Sequence, residues 1–154
     1  MNAESFAIPE YEIDLAPGIW SPTKRCINPD TVKRVFKECN YSCVVCGLCT
    51  TPEMPRDAHG RPIAFKRNEA GALEPTGRRL TIDHIVPKRL RSTNRYPNLL
   101  VMCCFCNNKK ADMLPRVWLK TLKVDLQISL LDKVIEAEMY HVLVSERDNA
   151  FHNL

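Results

Sequence analysis

Two Cys-x-x-Cys pairs, Cys43/Cys46 and Cys103/Cys106, stand 56 residues apart in a chain of 154. Two such pairs supply four thiolates to one Zn²⁺ at about 2.3 Å in a closed tetrahedral site. The chain must therefore fold so that its middle and its beginning meet at one point. Binding free energy at such a site is folding free energy, so the role expected for the zinc is structural. Gly47 after the second sulfur suits a knuckle turn that needs positive φ. Cys46/Cys49 also has metal spacing, so the choice of first pair rests on that glycine. Cys104, between the two ligands of its pair, is expected to face the core. Cys39, Cys49 and Cys26 have no assigned role, and His59 is more simply a surface residue than a ligand.

Length allows one hydrophobic centre with extensions. No apolar run approaches the roughly 18 residues of a membrane helix. Eight cysteines and no basic n-region at the start predict a cytoplasmic, reducing setting, where such pairs hold metal. Charge is uneven. Residues 56–110 hold twelve Lys/Arg against four Asp/Glu, whereas the remainder is acidic. A positive field of this kind suits a polyanion, because Lys and Arg neutralise phosphates and release counterions.

That basic segment also carries Asp83-His84-Ile85-Val86-Pro87 and Asn98-Leu99-Leu100, then Cys103-x-x-Cys106-Asn107-x-x-Lys110. Asp83 and Asn107 offer a carboxylate and an amide oxygen, sufficient protein ligands for a hydrated Mg²⁺ or Mn²⁺. His84, with an ordinary pKa near ~6.5, is largely neutral at pH 7 and can take a proton from water. Neighbours on a regular strand point to opposite faces, so a strand end or kink is expected at Asp83-His84. These groups together suit hydrolysis of a phosphodiester.

The motifs resemble the zinc-containing, four-cysteine branch of the HNH endonuclease family, within the ββα-metal nucleases, over about residues 40–115. The resemblance implies an α+β fold: a small ββα-metal core pinned by a four-cysteine zinc site, with flanking N- and C-terminal helices. It implies a one-metal DNA endonuclease leaving 5′-phosphate and 3′-hydroxyl ends, in a phage- or restriction-related setting. Carried over by position, His84 is the general base and Asp83 the metal-binding carboxylate. Asn98 braces the histidine loop, and Asn107 is the second oxygen ligand. Lys110 is a phosphate contact, joined by Arg78, Arg79, Lys88, Arg89, Arg91, Arg95 and Lys109 as a nucleic-acid surface. Double-stranded DNA is the expected partner, and no membrane. A catalytically inactive zinc-stabilised DNA-binding module and an RNA-cleaving nuclease are the alternatives.

For organisation, residues 1–27 read as an extended arm, 28–115 as the nuclease domain and 116–154 as a helical extension packed on the core. Asn28-Pro29 opens a helix to about Cys39, with Val32, Val35 and Phe36 on one face. Residues 50–79, with four prolines and three glycines, read as an inserted loop holding a hairpin near Gly71 or Gly77. Strands follow at residues 80–82 and 99–102, then a short helix over 107–113. A helix from Pro115 to about Ser145 shows Trp118, Leu119, Leu122, Leu126, Leu130, Val134 and Met139 at helical spacing. A homodimer seam or docking surface for a larger complex is a second reading of that helix. Trp118 and Trp20 read as core anchors.

Overall fold

A computed structural model describes residues 27–152 apart from positions 54, 59 and 91, with side chains to 146. The expected arm, Trp20, Cys26, His59 and Arg91 lie outside the described residues.

Helix α1, Pro29–Glu38, begins as its sequence requires. The Asn28 side chain accepts a hydrogen bond from the Asp30 amide at 2.8 Å, and Pro29 occupies the first turn, where no amide partner is needed. Its buried face, Val35 and Phe36, packs on the sheet. The chain then turns through the Cys43–Cys46 knuckle, where Gly47 has φ +73°.

The sheet has three antiparallel strands in the order β1 (Ile63–Arg67), β2 (Leu73–His84), β3 (Leu99–Cys103). The region expected to be mostly loop is thus partly sheet. β1 and the first half of β2 form a hairpin closed at Asn68–Gly71, with the Asn68 side chain accepting from the Ala72 amide at 2.9 Å. Gly71, at φ +80°, supplies the positive φ of that turn. Pro75 and Gly77 obscure the strand in the sequence. Both are tolerated because pairing with β1 is irregular there, shifting register between Ile63 and Phe65.

β3 is buried throughout, with Val101 fully enclosed. It pairs with β2 from Leu80↔Cys103 to His84↔Leu99. Helix α2, Cys104–Lys110, follows without a linker and lies against β2 and β3. The hairpin of β2 and β3 with α2 is the ββα unit. Its helix starts three residues earlier than the sequence suggests, because the Cys103 sulfur caps the amide of Cys106 at 3.4 Å.

The C-terminal region is two helices: α3, Pro115–Lys120, and α4, Val124–His152. Thr121 ends the first by bonding back to the Trp118 carbonyl at 2.7 Å. α4 folds onto α3, and Trp118, Leu119, Leu130, Val134 and Ala137 join the core. Met139, expected on the packed face, is exposed, as are Val124, Ile128, Leu131, Ile135 and Val142. These residues mark a second apolar stripe on α4, pointing away from the core. Among the described residues, no helix is long and apolar enough to cross a membrane.

Candidate active site and metal centre

Cys43 and Cys46 sit in the knuckle, Cys103 at the end of β3, and Cys106 in the first turn of α2. The knuckle is pinned on two sides: the Val44 amide donates to the Val101 carbonyl of β3, and Cys49 exchanges backbone bonds with Phe65 of β1. All four sulfurs lie within 4.8 Å of one another, and Cys46 and Cys103 are 3.7 Å apart. A tetrahedron of Zn–S bonds has edges of about 3.8 Å, so the cage fits the ion. The alternative pair with Cys49 is excluded, since that sulfur turns to the Phe65 carbonyl at 3.7 Å. Cys104 is only half-buried rather than in the core.

Electrostatics agree with a cation-demanding cage. Burial pushes the Cys46 thiol up to about 11, and burial next to Cys43 also raises Cys106. Burial opposes ionisation at Cys103 too, but the Cys106 amide and the Cys106 and Cys46 thiols outweigh it and hold Cys103 low. Four clustered thiols cannot all ionise without a cation among them, and zinc-type binding meets that demand.

The oxygen and nitrogen groups lie at the other end of the same unit. β2 stops at His84, and the chain bends at Ile85–Val86, giving the strand end expected there. Asp83 points to α2, where the Lys110 ammonium is 2.8 Å from Oδ2. The same ammonium donates to the His84 carbonyl at 2.6 Å. With three donors, the Lys110 ammonium thus bridges Asp83 Oδ2 and the His84 carbonyl. Asn107, one turn before Lys110, donates to Thr81 Oγ1 at 3.2 Å, two residues from Asp83 on the same strand face. A hard cation suits this donor set, because Asp83 retains acceptor capacity and the Asn107 oxygen is uncommitted.

Lys110 corrects an expectation. It is 2% exposed, with its ammonium enclosed by Asp83, the His84 carbonyl and, at 5.6 Å, the Trp118 ring, so it cannot meet a phosphate at the surface. A lysine side chain is long enough to bury its stem and reach inward when a carboxylate awaits it.

His84 is 7% exposed, and its Nε2 lies 2.8 Å from Asn94 Oδ1. With an oxygen facing Nε2, that nitrogen carries the proton and Nδ1 keeps its lone pair. Burial lowers the His84 pKa; the Asn94 bond opposes this, while Lys88 and Lys110 assist it. Asn94 is invisible to sequence reasoning because a loop asparagine carries no spacing signal. Asn98, 2% exposed, accepts from the Val86 amide at 2.7 Å and donates to the carbonyls of Val86 and Thr93 at 3.3 and 3.1 Å. Its side chain thus ties both ends of the segment between His84 and β3.

The basic residues divide into two groups. Arg79 pairs with Asp57 at 3.3 Å, beside Arg61 at 2.9 Å from the same oxygen, and Arg89 donates to the Asp112 carbonyl. Arg78, Lys88, Arg95 and Lys109 make no ion pair among the described residues.

No curated protein and no solved structure matches the chain. Residues 67–112, which span β2, the His84 loop, β3 and α2, match the model of HNH endonucleases. The sulfur cage, which draws Cys103 and Cys106 from that segment, fits the zinc-containing branch of these endonucleases, and the match supports a nuclease-type function.

Proposed function

We propose that the protein is a divalent-metal-dependent DNA endonuclease with His84 as general base. The observation that carries this reading is the His84 ring itself: enclosed, neutral at pH 7, and anchored through Nε2 so that Nδ1 is the free base. Asn94 fixes the tautomer, and Asn98 holds the loop so that the ring cannot swing away. Nδ1 takes the proton of the attacking water, a role worth about 10²–10⁴-fold in rate.

Asp83 and Asn107 are the residues to hold Mg²⁺ or Mn²⁺. When bound, the ion would neutralise the phosphate and favour departure of the 3′ oxygen, leaving 5′-phosphate and 3′-hydroxyl ends. Lys110 orients Asp83 by pairing with Oδ2. Arg78, Lys88, Arg95 and Lys109 bind the duplex backbone, in a phage- or restriction-type setting. The domain spans residues 28–115, with the basic hairpin as its insertion.

One observation favours a second reading, binding of DNA without cleavage: the Lys110 ammonium already places a positive charge on Asp83. Supercoiled plasmid distinguishes the two. The zinc-loaded protein should nick it with added Mg²⁺ or Mn²⁺ and not without. Binding with no nicking under any divalent ion would favour the second reading.

A further inference from the structure

Phe105 lies between two zinc ligands and is 46% exposed, an unusual position for a large ring beside a polar site. The Arg78 guanidinium stands 4.7 Å from its centroid and the Lys109 ammonium 4.6 Å. Two elements supply the three: Arg78 comes from β2, and Phe105 and Lys109 come from one side of α2, four residues apart. Asn107 sits between the last two in sequence and bonds to Thr81. The cluster thus lies on the same strand and helix that carry Thr81 and Asn107.

Two like charges gathered on one ring repel, and the negative ring face offsets part of this. A carboxylate would hold the same cations more strongly, as Asp57 holds Arg61 and Arg79, but it would also cancel their charge. An aromatic ring orients cations and leaves their charge available. Neither Arg78 nor Lys109 has an acidic partner among the described residues.

We infer that Phe105 is a positioning residue that holds Arg78 and Lys109 as a pair for two phosphates of the DNA backbone. This rests on the nuclease reading for its ligand but concerns binding, so it can fail separately. The ring acts through the cations and does not touch a base.

The test is fluorescence anisotropy of a labelled duplex titrated with the zinc-loaded full chain, without added Mg²⁺, over a range of salt. Phe105→Leu keeps apolar volume and removes the ring; it should weaken binding about threefold to tenfold at moderate salt. Phe105→Tyr should bind within about twofold of the original. Arg78→Gln with Lys109→Gln should flatten the slope of log K against log salt by about two, at close to 0.9 per phosphate neutralised. In that double variant, Phe105→Leu should have no further effect. Zinc content and melting temperature verify each fold, and the glutamine pair keeps the test alive if Phe105→Leu does not fold. Wild-type affinity in Phe105→Leu would overturn the inference and spare the nuclease reading. A loss persisting in the glutamine background would overturn it too, because the ring would then meet DNA directly. No binding by the wild-type chain would overturn both.

Discussion

The two ends of the ββα unit use the same strands and the same helix for opposite purposes. At one end, four sulfurs from the knuckle, β3 and α2 close on a single point and leave no position open. At the other, Asp83, His84 and Asn107 are each tied by one side to a neighbour, Lys110, Asn94 and Thr81, with the other side uncommitted. α2 joins them within seven residues: Cys106 belongs to the cage, Asn107 and Lys110 to the open end. Closure suits a structural role, and partial satisfaction suits the reactive role proposed for the other end.

If this contrast is right, damage at the closed end should remove structure, and damage at the open end should remove activity or only part of the stability. The largest effect is expected from Cys103→Ser. Structural zinc in small domains contributes about 10–16 kcal/mol of apparent binding at pH 7, so loss of a ligand should leave the chain unfolded or zinc-free. Circular dichroism with zinc analysis checks this, and a stable, fully zinc-loaded Cys103→Ser would show that the cage is wrongly assigned. Next comes Lys110→Ala. Breaking a buried pair by removing one partner costs about 3–5 kcal/mol, and the 17% exposure of Asp83 points to the lower part of that range. Urea midpoints should recover in part when Asp83→Asn is added; no recovery would mean that Lys110 stabilises by packing alone.

The smallest effect is in pH. Burial, with Lys88 and Lys110, lowers the folded pKa of His84 below its unfolded value near ~6.5. The unfolded chain then binds more protons, so His84's contribution to stability is intact above that value. It declines as pH falls through it toward the folded pKa. As the proposed base, His84 would likewise stay neutral to lower pH than a free imidazole, so the acid limb of cleavage should lie below about pH 6.5. An acid limb centred above pH 7 would contradict an enclosed, neutral base.

Those differences in kind also decide what can be read from the sequence. The cage is legible because thiolate spacing is a geometric requirement and glycine at 47 marks the turn. The α1 start is legible from Asn28-Pro29, where capping is a local rule. The hairpin of β1 and β2 is only half visible, since Pro75 and Gly77 hide a strand that survives through its pairing with β1. Lys110 looks like a surface cation in the sequence, which does not say which way a side chain turns. Its burial follows from Asp83 waiting on β2, against which α2 packs. Likewise the split of the C-terminal helix at Thr121 and the outward stripe of α4 depend on tertiary packing, and helical spacing alone cannot separate the two faces.

The most direct test pairs structure with chemistry on one substitution. Zinc-loaded His84→Ala should keep the zinc content and cooperative unfolding of the wild-type chain, with a melting temperature lowered only by the loss of one buried ring and its Asn94 bond. With Mg²⁺ and supercoiled plasmid, the wild type should nick and His84→Ala should be slower by about 10²–10⁴-fold. Nicking by His84→Ala at the wild-type rate would contradict the account, and so would its loss of zinc.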